Sequence, residues 1–582
     1  MLDLVIRGGT VADGTGAPCY SGDIAIAGEQ IVDVGKVTTP ARREIDAEGL
    51  LVTPGFVDIH THYDGQASWD GVLAPSSLHG VTSLVMGNCG VGFAPARPHM
   101  HDWLIALLEG VEDIPGTALT EGLSWDWESF PDYLDALERR TYAVDIGAQM
   151  PHAALRAYVM GERGGDSANA PRDDEIAAMR ALTREAIEAG ALGFTTSRTI
   201  QHRSRTGENI GTLTAGRAEL LGIVAALKDT NAGVVQLISD TYLSADEDFA
   251  TSEMDLIVDL ARACGRPISF TVQQPDHAQD RWRTLFARIA TAQAGGLSIQ
   301  AQVAPRPIGI VLGHAATINP FILCPSYRAI RETPLAARIA ALRDPARKAA
   351  ILAEHAPIEA PEFLGLVTRG FTRMFPLTDP IDYEPAASAS VQAEARAAGR
   401  DAAAYVYDLL LESEGRTLLY MPLINFARGN LDEVHAMMSG PHVLYGLSDG
   451  GAHCNTICDA SFPTTTLALW SKGNKAGLTI PLETLVHGLT QKNAAHVGWL
   501  DRGVIAPGYL ADMNLIEMDK LALNPPTLVT DLPAGGSRLM QTSPGYAATL
   551  KRGRVTFDRS THTGETPGRL VRGRQARNGA HV

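Results

Sequence analysis

Apolar residues in the first 50 positions alternate with polar ones in short runs, and from about residue 53 they gather into strand-length blocks separated by segments of helical period. The opening runs, LDLVIRGGTVADGTG, GDIAIAGEQIVDVG and one ending at EIDAEGLLV, predict strands. DGTGAP has glycines of the kind that cradle phosphate, but no helical pattern follows, so it reads as a hairpin turn. Eight blocks follow: GFVDIHTH (55–62), VTSLVMG (81–87), YAVDIGAQM (142–150), ALGFTTS (191–197), GVVQLIS (233–239), PISFTVQ (267–273), LSIQAQV (297–303) and HVLYGLS (442–448). Amphipathic segments separate most of them. In DDEIAAMRALTREAIEAG, Ile176, Met179 and Ile187 share a helical face and Gly190 stops the helix. SEMDLIVDLARACG and PLETLVHGLTQKNAAHVG behave likewise.

Strands that alternate with helices predict an α/β fold, a (β/α)8 TIM barrel whose chemistry sits on the loops at the carboxyl ends of the strands. Two connections exceed a simple crossover. Residues 98–141 are rich in Trp and acidic residues, and 320–430 combine Ala-rich helices with FPLTDPIDYEPAASAS. Insertions of that size predict a lid or subdomain over the mouth. After residue 503 the chain returns to strand patterns in GVIAPGYLADMNLIEMD and YAATLKRGRVTF. The expected organisation is a small β-sandwich from 1–52 and 503–582, a barrel over 53–502 and an inserted lid over 320–430.

Composition narrows the class of function. A chain of 582 residues exceeds one compact core, and 45% hydrophobic with 20% charged residues is an ordinary globular balance. With 49 basic and 66 acidic residues the net charge is 49 − 66 = −17, which argues against nucleic acid or an anionic membrane as the main partner. No stretch approaches the ~20 apolar residues of a membrane span. Cys19, Cys89, Cys264, Cys324, Cys454 and Cys458 are too sparse for a disulfide framework. MLDLVIRGGT has neither a basic start nor a long apolar stretch, so a cytoplasmic protein is expected.

The candidate chemistry lies at strand ends. In VTPGFVDIHTHYD, residues two apart share a face, so Asp58, His60 and His62 point the same way. Two neutral imidazoles on one rigid strand suit zinc or a similar divalent ion, although the pair alone reads equally as polar strand-end residues. In SLVMGNCGVGFAP, Cys89 follows the second block between Gly87 and Gly90. A thiolate there can bind a soft ion, whereas a lone cysteine is more often a small buried hydrophobe. In YGLSDGGAHCNT, Asp449 ends the eighth block, where a carboxylate can contact a metal, take a proton from water and pass it to a leaving group. The strand count unites these signals. HCNTIC, with His453, Cys454 and Cys458, lacks the second pair that a cysteine cluster needs. Arg198 in TTSRTIQHR and Arg306 in APRP follow the fourth and seventh blocks and either grip a substrate carboxylate or are solvated at the surface or paired with the lid's acids.

TPGFVDIHTHYD, GVTSLVMGNCGVGFAP, GALGFTTSRT, YGLSDGGAH and GVIAPGYLADMNLI resemble the amidohydrolase superfamily, specifically the D-aminoacylase branch of N-acyl-D-amino-acid deacylases. VIRGGTVADGTGAP, GYAATLKRGRVT and GETPGRLVRG extend the resemblance nearly end to end, and SDG and GNCG are its more specific marks. It implies a metal-dependent hydrolase holding one or two divalent ions, zinc by preference. His60 and His62 resemble the first-strand ligands, Cys89 the unusual cysteine ligand and Asp449 the catalytic acid/base, itself a ligand. The branch also carries histidines on the fifth and sixth strands, where this chain reads GVVQLISD and PISFTVQQ. Gln236 and Gln273 stand near those positions, and Gln274 near a lysine that faces the substrate carboxylate. An amide oxygen is a weaker zinc ligand than imidazole.

Three arrangements remain open. His60, His62, Cys89 and Asp449 hold one zinc; His152, His202 or His453 completes the site; or metal is held weakly or not at all. The expected function is hydrolysis of the C–N amide bond of an N-acyl amino acid, a small substrate with a carboxylate, by a protein that can be a homo-oligomer. The alternatives are a lactone, carbamate or urea-type hydrolase on the same site, and a barrel that binds a small ligand without turnover.

Overall fold

Each of the eight apolar blocks becomes β structure, and neighbouring strands run parallel. This is seen in a computed structural model that describes residues 1–205, 207–360 and 362–576. A three-stranded sheet holds β1 (Phe56–Asp58), β2 (Val81–Met86) and β3 (Asp145–Ala148) in that order. A six-stranded sheet runs, in spatial order, through β4 (Met150–Pro151), β5 (Gly193–Arg198), β6 (Val234–Ser239), β7 (Ile268–Thr271), β8 (Ile299–Gln302) and β9 (Val443–Leu444). The block YAVDIGAQM is therefore two strands: β3 pairs with β2, β4 pairs with β5, and Gln149 lies between them. At the other end, a parallel bridge between Thr61 and Gly450 joins the segment after β1 to the segment after β9.

Helices take up the connections as the periodicity predicts. Asp173–Ala189 buries Met179 and Ile187, and Gly190 ends it in the left-handed region at φ 114°. Glu247–Cys264 and Arg281–Ala294 lead from β6 to β7 and from β7 to β8. Such faces are worth about 1.5–3 kcal/mol for each fully buried aliphatic side chain. Among the described residues no helix is long and apolar enough to cross a membrane.

Strands from both ends of the chain share one nine-stranded sheet. Leu51–Pro54 pairs in parallel with Leu2–Val11 and antiparallel with Met513–Ile516. Leu4, Ile6, Ile24 and Ile26 pack with Met513, Leu515 and Leu550 beneath it. DGTGAP joins the antiparallel strands Leu2–Val11 and Tyr20–Ala27, as a hairpin connection should. A buried ion cluster fastens this sheet to the parallel strands. Asp145, the first residue of β3, lies 2.8 Å from Lys551, 2.7 Å from Arg502 and 2.7 Å from Arg552.

The second long connection has a core of its own, with Ile310, Phe321, Ile351, Val406, Tyr407 and Met421 among its buried residues. Its helices stand on a three-stranded antiparallel sheet of Ile308–Leu312, Leu419–Ile424 and Phe375–Pro376. The first strand of that sheet, Ile308–Leu312, precedes the helical pattern. The first long connection holds α1 (His101–Glu112), followed by Gly116–Gly122 and Phe130–Glu138.

Candidate active site

His60 and His62 lie just past β1, Cys89 just past β2 and Asp449 past β9, all on the carboxyl side of the parallel strands. Main-chain pairing sets their register: Asp449 N donates to His60 O at 3.1 Å, and His62 N donates to Gly450 O at 2.7 Å. The Cys89 turn is held by Asn88, whose side-chain amide donates to Thr61 O and Val85 O. Gly87, Cys89 and Gly90 all have positive φ, and a Cβ on Gly90 would lie 2.8 Å from the Thr196 Cα. Cys89 (φ 54°) and Asp449 (φ 50°) are non-glycine residues in the left-handed region, a strain that concentrates where structure serves chemistry.

These turns bring four side chains together. His60 Nε2 is 3.3 Å from Cys89 Sγ and 3.2 Å from Asp449 Oδ1, and His62 Nε2 is 3.5 Å from the same Asp449 oxygen. Ligand-type atoms of His60, His62 and Cys89 lie within 4.8 Å of one another. Behind His60, Nδ1 lies 2.9 Å from Gln302 Oε1 and 3.0 Å from Gln236 Nε2. Behind His62, Nδ1 lies 3.4 Å from Glu112 Oε1. Both His62 nitrogens and that Glu112 oxygen are buried without a hydrogen-bond partner. Uncompensated buried polar atoms are costly, and two imidazoles and a thiol within reach of one another, with Asp449 Oδ1 3.2 and 3.5 Å from the two rings, form a donor set that fits a divalent ion.

Burial would lower His62, but Glu112, Cys89 and Asp449 outweigh it and hold the ring well above the ordinary histidine value of 6.5. Burial pushes His60 down to about 4, which keeps its imidazole neutral near pH 7. Burial would raise the Asp449 carboxyl, but His60, His62 and His453 outweigh it and hold the group at about 2, ionised. Burial lifts the Cys89 thiol to about 12, with His62 opposing, and lifts Glu112 to about 7, again with His62 opposing. Asp58 and Asp64 are raised to about 7 by burial as well. Perturbed groups so close together mark a functional site.

Residues 43–557 match the model described as "Amidohydrolase family". The chain belongs to that family. This amidohydrolase is a hydrolase that acts on carbon–nitrogen bonds other than peptide bonds. It is 27% identical to an N-acyl-D-aspartate deacylase of Alcaligenes xylosoxydans xylosoxydans, over 98% of this chain and 95% of that one. A D-aminoacylase of the same organism is 34% identical over 41% of this chain and 47% of its own, so that alignment spans about half the relative. Among solved structures, D-aminoacylase superposes with a TM-score of 0.64 at 22% identity, covering 99% of this chain and 100% of that one. N-acyl-D-glutamate deacylase from Bordetella bronchiseptica, complexed with zinc and a phosphonate inhibitor, gives 0.62 at 22%, covering 98% and 99%. These relatives are thus a D-aminoacylase and deacylases of N-acyl-D-amino acids.

Other expected residues of the amidohydrolase lie elsewhere. The Arg198 guanidinium binds both Glu253 oxygens, at 2.8 and 2.6 Å, and Ala215 O. Arg306 lies 2.9 Å from Asp459 and donates to Cys458 O, with its guanidinium carbon 3.9 Å from the Tyr383 ring centre. Buried acids outside the expected lid thus occupy both guanidiniums. His152 is held by Thr196 and Glu219. His202 contacts Ser197 and is depressed to about 3 by burial, then by His453 and His62, so it stands at the edge of the site. His453 Nε2 lies 3.8 Å from Glu112 Oε2. Among the described residues Cys454 and Cys458 enter no metal-type cluster.

The glutamines divide. Gln236 backs His60, while Gln273 accepts from Asn425 and the Gln274 amide donates to Gln279 O. Glu112 was not singled out by any motif. Its signal is position: Leu104, Leu108 and Glu112 are four residues apart on α1, so a carboxylate interrupts an apolar stripe.

Proposed function

We propose that this amidohydrolase hydrolyses the amide bond of N-acyl-D-amino acids with one divalent ion, zinc by preference, held by His60, His62, Cys89 and Asp449. The observation that carries the reading is the meeting of two Nε2 atoms, a thiol and a carboxylate from three separate chain segments. The names of the relatives supply the substrate class. A single ion is favoured because Gln236 and Gln273 stand near the fifth and sixth strand positions and their amides meet His60 and Asn425. The architecture belonging to this reading is a (β/α)8 barrel over 53–502 closed at Thr61 and Gly450, a β-sandwich from 1–52 and 503–582, and a lid over 320–430.

A divalent ion held by His60, His62, Cys89 and Asp449 would supply polarisation of an acyl carbonyl and a lowered pKa for water. Asp449, ionised near neutrality, accepts the proton of the water that attacks the carbonyl carbon. It then delivers that proton to the departing nitrogen as the C–N bond breaks, which leaves a free carboxylate and a free amine. His60, neutral through burial, keeps a ring lone pair for the ion. The buried setting excludes bulk water and strengthens each of these interactions.

A panel of N-acyl amino acids, both enantiomers, assayed with zinc-supplemented protein should show turnover of D-substrates. Asp449→Asn should lower kcat about 10²–10⁴-fold while the protein stays folded. Unchanged hydrolysis by the variant would remove Asp449 from the chemistry. Activity confined to lactones, carbamates or ureides would replace the substrate class.

A further inference from the structure

We propose that Glu112 is a positioning residue for His62: its Oε1, 3.4 Å from Nδ1 with neither atom hydrogen-bonded, takes the Nδ1–H when the ion is held and so leaves Nε2, the nitrogen facing Asp449, for the ion. The inference rests on the reading of His62 as a ligand. A neutral imidazole has one N–H and one lone pair, so whatever holds one ring nitrogen decides what the other can bind. Ligand histidines are commonly fixed in this way by a carboxylate or carbonyl on the far side of the ring. For His60 that partner is the Gln302 amide oxygen at 2.9 Å, on β8. Nδ1 of His62 faces Glu112 Oε1 at 3.4 Å, with both side chains 1% exposed, while Nε2 lies 3.5 Å from Asp449.

Glu112 does not come from a parallel strand. It is the last residue of α1 in the first long connection, and the chain fastens that helix end to the loop carrying Asp449. Asp113 follows in the left-handed region at φ 49°, and its carboxylate accepts from the Thr456 hydroxyl at 2.8 Å and from Asn455 N at 3.4 Å. The Glu112 carbonyl accepts from His453 N, and Glu112 Oε2 lies 3.8 Å from the His453 ring nitrogen. The insertion is thereby part of the site, supplying the carboxylate that sets one ring while a strand supplies the amide that sets the other.

The test is zinc affinity of the full-length protein, measured by competition with a chromophoric chelator, alongside thermal unfolding. Glu112→Ala should weaken zinc binding about 10–100-fold. Glu112→Gln, whose amide oxygen still accepts from Nδ1–H, should recover most of that loss. In zinc-loaded protein labelled with ¹⁵N-histidine, the His62 ring should show a protonated Nδ1 and a ligated Nε2, a pattern disturbed in Glu112→Ala. His62→Ala is the reference. If it weakens zinc binding while Glu112→Ala, folded, stays within twofold of the parent, the Glu112 assignment is overturned and the metal reading stands. If His62→Ala changes nothing, the metal reading falls and the assignment falls with it. Should Glu112→Ala fail to fold, Glu112→Gln decides: parental affinity with an Nδ1 that is not protonated in either protein overturns the proposal.

Discussion

At the scale of single residues the site depends on backbone conformations that few side chains adopt readily. Gly90 has φ 67°, and an added Cβ would meet the Thr196 Cα at 2.8 Å and the Ser197 N at 3.0 Å. Gly90→Ala should therefore destabilise the protein by about 1–3 kcal/mol and displace Cys89, visible as a lower unfolding midpoint and reduced zinc retention. A variant with the parental midpoint and full zinc content would show that this turn has room to relax. The residues that converge were legible in the sequence because HxH spacing, glycines around a cysteine and an aspartate after an apolar block each fall at a strand end. Arg198 and Arg306 were not, because their partners Glu253 and Asp459 lie far along the chain and no local pattern announces the pairing. Glu112 sits in an insertion whose docking is set by Asp113 and its contacts with Thr456 and Asn455, and helical periodicity does not report such contacts.

At the scale of elements, the parallel strands were visible as eight apolar blocks because strands buried on both faces have no polar alternation. The division of YAVDIGAQM into β3 and β4 was not, because both halves are equally apolar and only their pairing partners differ. His79 shows how elements are held around the site. It precedes β2, and its ring contacts Thr464 Oγ1 at 2.8 Å, on the helix Phe462–Trp470, and Gln541 O at 3.0 Å, near the C-terminal strands. Burial holds it at about 4, below its ordinary 6.5, so it is neutral in the fold and takes up a proton on unfolding in mild acid. Its contribution is present in full above pH about 6.5 and is lost as pH falls towards 4, a span worth about 3 kcal/mol. His79→Gln should flatten the fall of the unfolding midpoint between pH 6.5 and 4 relative to the parent. An identical pH slope in the two proteins would mean that His79 is protonated in the fold.

At the scale of the whole molecule, chemistry and fastening occupy opposite ends of the parallel strands. His60, His62, Cys89 and Asp449 gather beyond the carboxyl ends, while Asp145, at the start of β3, ties Lys551, Arg502 and Arg552 to the strands. Strand patterns at both ends suggest that the two segments pair, but the parallel pairing of Leu51–Pro54 with Leu2–Val11 and its antiparallel pairing with Met513–Ile516 depend on contacts that no local pattern encodes. The central claim is that one ion sits among four side chains from three distant segments. A crystal of zinc-soaked protein, measured on both sides of the zinc absorption edge, tests it directly. The account predicts one anomalous peak per chain, about 2.0–2.3 Å from His60 Nε2, His62 Nε2, Cys89 Sγ and an Asp449 oxygen. Two peaks in the site, or a single peak bound elsewhere with these four side chains left vacant, would contradict it.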